Sequence, residues 1–194
     1  GYEGGSYSAE ARVRWMADQL QPVDHPAEME AIATSVDNNG GVYIVPAFAG
    51  LGAPWWNSQV KGAIFGLTFA ATKAHVVRAA LESIAYQVKD LADVMAQATG
   101  GALTEICADG GPTRNAFLMQ FQADMLRTPI VCTEVEDASA LGAVVMNGFA
   151  RQLWNSFDKV ASLRKVTRTV LPHHTTEHDR LYGEWRKAVG QLCK

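Results

Sequence analysis

Cysteine is scarce and poorly placed for pairing. Cys107, Cys132 and Cys193 are odd in number, far apart and without a CxxC pair. Neither a disulfide framework nor a zinc knuckle is expected, and a reducing cytoplasm is the simplest home. Excess positive charge is lacking too. Seventeen Lys+Arg stand against twenty Asp+Glu, for a formal charge of -3. With no basic stripe to neutralise a phosphate backbone, nucleic acid is not an expected partner. No apolar run reaches the roughly 18 to 20 residues of a membrane span, and no basic segment precedes an apolar stretch at the start, so no membrane association is expected. Internal repeats, linkers and low-complexity segments are missing as well, which makes one domain over residues 1–194 the economical count. What is present is a hydrophobic content of 48% in 194 residues, enough for a sizeable core without staples. The chain opens on Gly1-Tyr2, within what reads as a strand running into a turn, and is therefore expected to belong to a longer parent.

Periodicity supplies the elements. Val13, Met16, Ala17 and Leu20 recur at helical spacing within Ala9 to Leu20, and Gln21-Pro22 ends that helix. Pro26 to Ser35 reads as a second, short helix, closed by the turn-forming run Asp37-Asn38-Asn39-Gly40-Gly41. The period then changes. Val42 to Val45 and Ala63 to Leu67 read as strands, separated by an irregular surface loop, Phe48 to Trp56, that holds two Gly and one Pro. From Lys73 to Ala98 the set Val77, Leu81, Ile84, Val88, Leu91 and Met95 steps by fours and threes, and Gly100-Gly101 stops the helix. Strand 105–108, helix 115–126, strand 130–132 and helix 138–151 then alternate, which argues an α/β layer. A helix at 156–163, an extended stretch at 166–171 and a terminal helix at 176–192 complete the prediction.

Several residues are candidates for chemistry. Asp109-Gly110-Gly111 lies between a strand and a helix, where residues without Cβ let a nucleotide approach the backbone, although paired glycines also make a plain tight turn. Asn115 suits both a purine or ribose contact and a helix cap. Asp137 to Ala143 opens a helix with small residues, read as close packing on a sheet. His173, His174 and His178 are read as a solvated surface, because no second metal-binding cluster accompanies their spacing. His75 reads as a satisfied histidine at a helix start. Glu82 and Asp90 are read as a solvated face with Lys89. Trp55 and Trp56 suit either a substrate contact or packing of their loop.

Gly62-Ala-Ile-Phe-Gly-Leu-Thr68, followed by His75-Val-Val-Arg-Ala-Ala-Leu-Glu82, is similar to the second signature of the FGGY family of carbohydrate kinases. Val42 to Trp56, Ala85-Tyr86-Gln87, Asp109-Gly110-Gly111, Phe117 to Asp124 and Ala140 to Ala143 resemble the glycerol-phosphorylating branch of that family. The likeness runs nearly end to end. It implies an α/β actin-like (ribonuclease H-like) ATPase domain with a mixed sheet flanked by helices. It further implies ATP-dependent phosphorylation of glycerol or a related polyol by the parent, with MgATP as donor. Under the resemblance Gly110 and Gly111 lie against the adenine nucleotide and Asn115 reaches the base. The first helix departs from the family pattern. Alignment on Glu3-Gly4 and Trp15 puts Glu10 where a small Gly faces the phosphates and Arg14 where a Gln faces the nucleotide. Glu10 is unfavourable beside phosphate unless Arg14 or Mg2+ offsets it. Asn57 stands where the family commonly has Asp.

The family's catalytic Asp, its Gly-Thr phosphate loop and its acceptor-binding residues precede the segment matched here. No catalytic residue or metal ligand is therefore assigned, and the N-terminal half of the same kinase is the implied partner. A homo-oligomer is compatible with the sequence and specified by no motif. Other readings are a family kinase for a ketose or pentitol, and a non-catalytic actin-like nucleotide-binding module.

Overall fold

The computed structural model describes residues 28–134, 138–156, 165–173 and 176–194, with backbone alone at 138–140. The predicted helix at 9–20, the one at 156–163 beyond Ser156, and the candidates Glu10, Arg14, Asp137 and His174 lie outside the described residues.

In chain order the elements are α1 (Met29–Thr34), β1 (Tyr43–Val45), β2 (Ala63–Phe65), α2 (Lys73–Thr99), β3 (Ile106–Ala108), a 3-10 turn (Gly111–Arg114), α3 (Ala116–Leu126), β4 (Ile130–Thr133), α4 (Ala138–Ala150), β5 (Val166–Val170) and α5 (Glu177–Leu192). β1 and β2 form an antiparallel pair. The other sheet is mixed, in the order β3-β4-β5, with β3 parallel to β4 and β5 antiparallel to it. The helical connection between the parallel strands is α3, as parallel pairing requires.

α2 is the spine of the molecule. His75 Nδ1 accepts the Thr72 N–H at 3.0 Å and closes a capping box, as its place at the helix start suggests, and Gly100 in the left-handed region (φ 70°) ends the helix. One core joins the Tyr43 and Val45 face of β1 to Ile84, Tyr86, Phe121, Ile130 and Trp185, and Trp185 Nε1 donates to Ile44 O at 2.9 Å. A second core lies on the other side of β1, where Ile44 and Val42 meet Met29 and Ala33 of α1 and Val77 and Leu81 of α2. β1 is thus buried on both faces, which its unbroken Tyr-Ile-Val run suits.

Glu82 and Asp90 correct the reading of a solvated face. They are 1% and 3% exposed, because α1, α3, α5 and β1 surround α2. Each carboxylate is satisfied by side-chain donors, those of Asp90 from distant segments and those of Glu82 from its own helix and from Asn39. Glu82 receives Arg78 Nε (2.9 Å), Asn39 Nδ2 (3.0 Å) and Tyr86 OH (3.0 Å). Asp90 receives Trp55 Nε1 (2.7 Å) and the Tyr182 hydroxyl. Burial pushes both carboxyls above the usual carboxylate range, against the opposing pull of those partners. Lys89 instead pairs with Asp93 and lies over the Tyr182 ring.

α4 also departs from expectation. Leu141 and Val144 are 45% and 63% exposed, so the anticipated close packing of its first turns on a sheet is not seen there.

Candidate functional site: the turn after strand β3

β3 delivers the chain to Asp109-Gly110-Gly111 at the carboxyl end of a parallel strand, the side on which open α/β sheets bind ligands. Gly110 has φ 79° and ψ -177°, a conformation an L side chain rarely adopts, so glycine there is demanded by the backbone. Gly111 differs. Its φ is ordinary, and a Cβ built on it would meet nothing within 4 Å. Neither the backbone nor the packing of the chain explains its missing side chain, which leaves an open backbone surface beside the turn.

Sequence reading missed the 3-10 turn that follows. Thr113 Oγ1 donates to Gly110 O at 2.7 Å, Asn115 N donates to Pro112 O at 3.1 Å, and Arg168 Nη2 of β5 grips Thr113 O at 2.6 Å. Asn115 then performs the capping role weighed for it. Its Oδ1 accepts the Leu118 N–H at 2.8 Å. The first donor of α3, Ala116 N, is taken by Glu30 Oε2 of α1 at 2.7 Å. Two of the donors that open α3 thus have protein partners, one of them a carboxylate, so this helix end offers little to a phosphate and suits a neutral ligand group. Neither Glu30 nor Arg168 carries a local signal, since they lie 86 and 55 residues from the groups they hold.

On the β4 and β5 side of the turn a cavity of about 440 Å³ is lined by Gly110, Thr113, Arg114, Thr133, Glu134, Thr167 and Arg168. The structure therefore brings Gly110, Gly111 and Asn115 together on one turn. Arg14, the fourth sequence candidate, is not described.

The other candidates separate. Trp55 is tied to Asp90, with Arg186 5.4 Å above its ring, whereas Trp56 is 79% exposed. The expectation of a solvated histidine group holds for the exposed His173 ring but not for His178, which lies half-buried with its ring centre 5.0 Å from that of Phe121 and its Nδ1 without a hydrogen-bond partner. Burial lowers the His178 pKa. Among the described residues no group of three or more His, Cys, Asp or Glu converges to hold a metal ion, and none of the described helices is long and apolar enough to cross a membrane.

Comparison with known proteins gives this turn a context. Residues 1–151 match the model of the FGGY family of carbohydrate kinases, C-terminal domain. The chain is 45% identical over 188 residues to a glycerol kinase of Clostridium beijerinckii, covering 96% of this chain and 38% of that protein, and 43% identical over 188 residues to one from Thermus thermophilus. The chain thus spans well under half the length of the curated relatives it matches. Among solved structures it is similar to Plasmodium falciparum glycerol kinase with ADP, at TM-score 0.82 and 34% identity over 95% of this chain and 37% of that one. A ligand-bound xylulose kinase of Lactobacillus acidophilus superposes at TM-score 0.82 with 20% identity over 94% of this chain and 38% of its own, a likeness of fold alone. The mixed sheet and its helices are the actin-like ATPase architecture of these kinases, and the chain belongs to the FGGY family of carbohydrate kinases.

Proposed function

We propose that the parent of this chain transfers the γ-phosphoryl group of ATP to a primary hydroxyl of glycerol or a related polyol, and that this chain supplies the adenine-nucleotide half. One observation carries the reading: Gly111 lacks a side chain that neither its φ nor its surroundings forbid. The bare backbone it leaves, on a turn at the carboxyl end of a parallel strand, supports a ligand lying against that turn. The 45% identity to a glycerol kinase supports the choice of acceptor.

In this reading Gly110 and Gly111 form the floor under the adenine end. Asn115 Oδ1 is committed to the α3 cap, so its amide Nδ2 is the atom that meets the base. Arg14, which lies outside the described residues, is assigned to the nucleotide by the family resemblance alone. The acceptor, the base that takes its proton and the phosphate loop belong to the N-terminal half, the proposed partner of this chain. Mg2+ is expected to accompany ATP, yet no cluster of ligands for it exists among the described residues, and no step is assigned through it. Phosphoryl transfer rests on positioning and charge stabilisation, and closure of the two halves excludes water as a competing acceptor. Three free cysteines support a cytoplasmic location.

The test is a coupled ADP-release assay of the full-length parent with glycerol, xylulose, ribulose and gluconate. Glycerol should be turned over fastest. Preference for a ketose would overturn the acceptor and leave the family in place.

A further inference from the structure

The His75-to-Glu82 segment is the most specific motif in the sequence, yet none of its residues lines the turn after β3. Its charged pair does something else. Arg78 Nη1 donates to Val36 O at 2.6 Å, just beyond the end of α1, while Arg78 Nε and Asn39 Nδ2 both bind the buried Glu82 carboxylate. Met29 and Ala33, on the inner face of α1, are fully buried with Val77 and Leu81 of α2. α1 is therefore clamped at its C-terminal end and along one face to the signature helix.

The free end of this arrangement reaches the site. Glu30, one residue into α1, accepts the N–H of Ala116 at 2.7 Å, directly after Asn115. Arg78 makes a second contact with the same place, its guanidinium carbon standing 5.0 Å above the ring of Phe117. The first two residues of α3 are thus gripped from outside their own helix, by a carboxylate on α1 and by the guanidinium that clamps α1. A six-residue helix has too few hydrogen bonds to hold itself in place, so its orientation comes from these contacts.

We propose that Glu30 is a positioning residue for the nucleotide turn, and that Arg78 and Glu82 act on that turn through α1. The idea rests on the reading of Gly110, Gly111 and Asn115 as the adenine end. Glu30 touches no ligand in it. It fixes the point where the 3-10 turn becomes α3, and so fixes where the Asn115 amide aims. Its bond to Ala116 is exposed, so water can replace it in the free protein at little cost to folding, whereas water cannot hold the turn in one orientation.

The test uses the full-length parent with Glu30→Ala and Glu30→Gln, followed by steady-state kinetics, calorimetric ADP titration without acceptor, and thermal melts. Loss of one charge-assisted hydrogen bond should raise the ATP KM and the ADP Kd about three- to tenfold in Glu30→Ala. The kcat, the acceptor KM and the melting temperature should change little. Glu30→Gln, whose amide oxygen still accepts from Ala116, should recover most of the loss. An unchanged ADP Kd in Glu30→Ala, an acceptor KM that rises in step with that for ATP, or a glutamine variant no better than alanine would each overturn the proposal. An unaltered parent that binds no ADP would overturn the adenine reading itself, and the positioning role with it. A Glu30→Ala parent that binds ADP as tightly as the unaltered one removes only the positioning role.

Discussion

Gly110 and Gly111 are neighbours that lack side chains for different reasons, and substitution separates them. Gly110 is held by its φ, whereas nothing within the described structure constrains Gly111, which is proposed to leave room for the nucleotide. In the parent, Gly111→Val should raise the ATP KM more than Asn115→Ala, which removes a hydrogen bond worth about 0.5 to 1.5 kcal/mol, or roughly two- to tenfold in affinity. Stability should show the reverse order. The alanine also removes the α3 cap, at about 1 kcal/mol, and should lower the melting temperature by roughly 2 to 4 °C, while the valine enters open space. Michaelis constants and melts on both variants check this. His178 gives a pH dependence. Its folded-state pKa lies below the ordinary 6.5, so the neutral form stabilises the fold above that pH and this stabilisation is lost as pH falls through the folded value. Glu82 and Asp90, raised by burial, act with the opposite sign and lose their contribution as pH rises. Comparing melts of His178→Phe with the unaltered chain isolates the histidine: the variant should lose less stability between pH 7 and pH 5, and equal slopes would refute the assignment.

At the scale of elements, buried polar ties bind segments that hydrophobic contact alone would leave free to slide. Asp90 joins the Gly-rich loop through Trp55 to α2 and, through Tyr182, to α5, with Arg186 near both rings. Trp55→Phe leaves one acceptor site of a buried carboxylate unfilled and should cost about 1 to 3 kcal/mol. Trp56→Ala, one residue on and largely exposed, should stay within about 0.5 kcal/mol. Denaturant unfolding of the two variants tests the contrast, and equal effects would mean that the loop is not anchored at Asp90. Glu82→Ala strands Asn39, Tyr86 and Arg78 together. Breaking such a buried pair costs about 3 to 5 kcal/mol, so this variant should be the least stable of the set.

For the whole molecule, the turn proposed to hold the nucleotide comes without an assigned base or acceptor site. The 194-residue chain alone should therefore show no glycerol-dependent ATP consumption, as an ADP-release assay would register. Turnover by the chain alone would place catalytic groups within it.

The pattern of elements was readable in the sequence because it follows local rules: the steps of four and three in α2, the glycine stop at Gly100, the alternation from β3 to α4. The turn after β3 was readable as well, since two glycines between a strand and a helix are a local signal, and the family motif around them is what suggests a nucleotide there. The burial of Glu82 and Asp90 was not, because a carboxylate on a helix reads as solvated until the elements that cover it are in place. Glu30 and Arg168 escaped for a related reason: their partners are backbone groups 86 and 55 residues away, which leave no mark on neighbouring side chains. Sequence by itself determined the main helices and strands among the described residues and the turn after β3. Tertiary packing alone decided which charges are buried and which residues hold the turn, because those depend on contacts between elements distant in the chain.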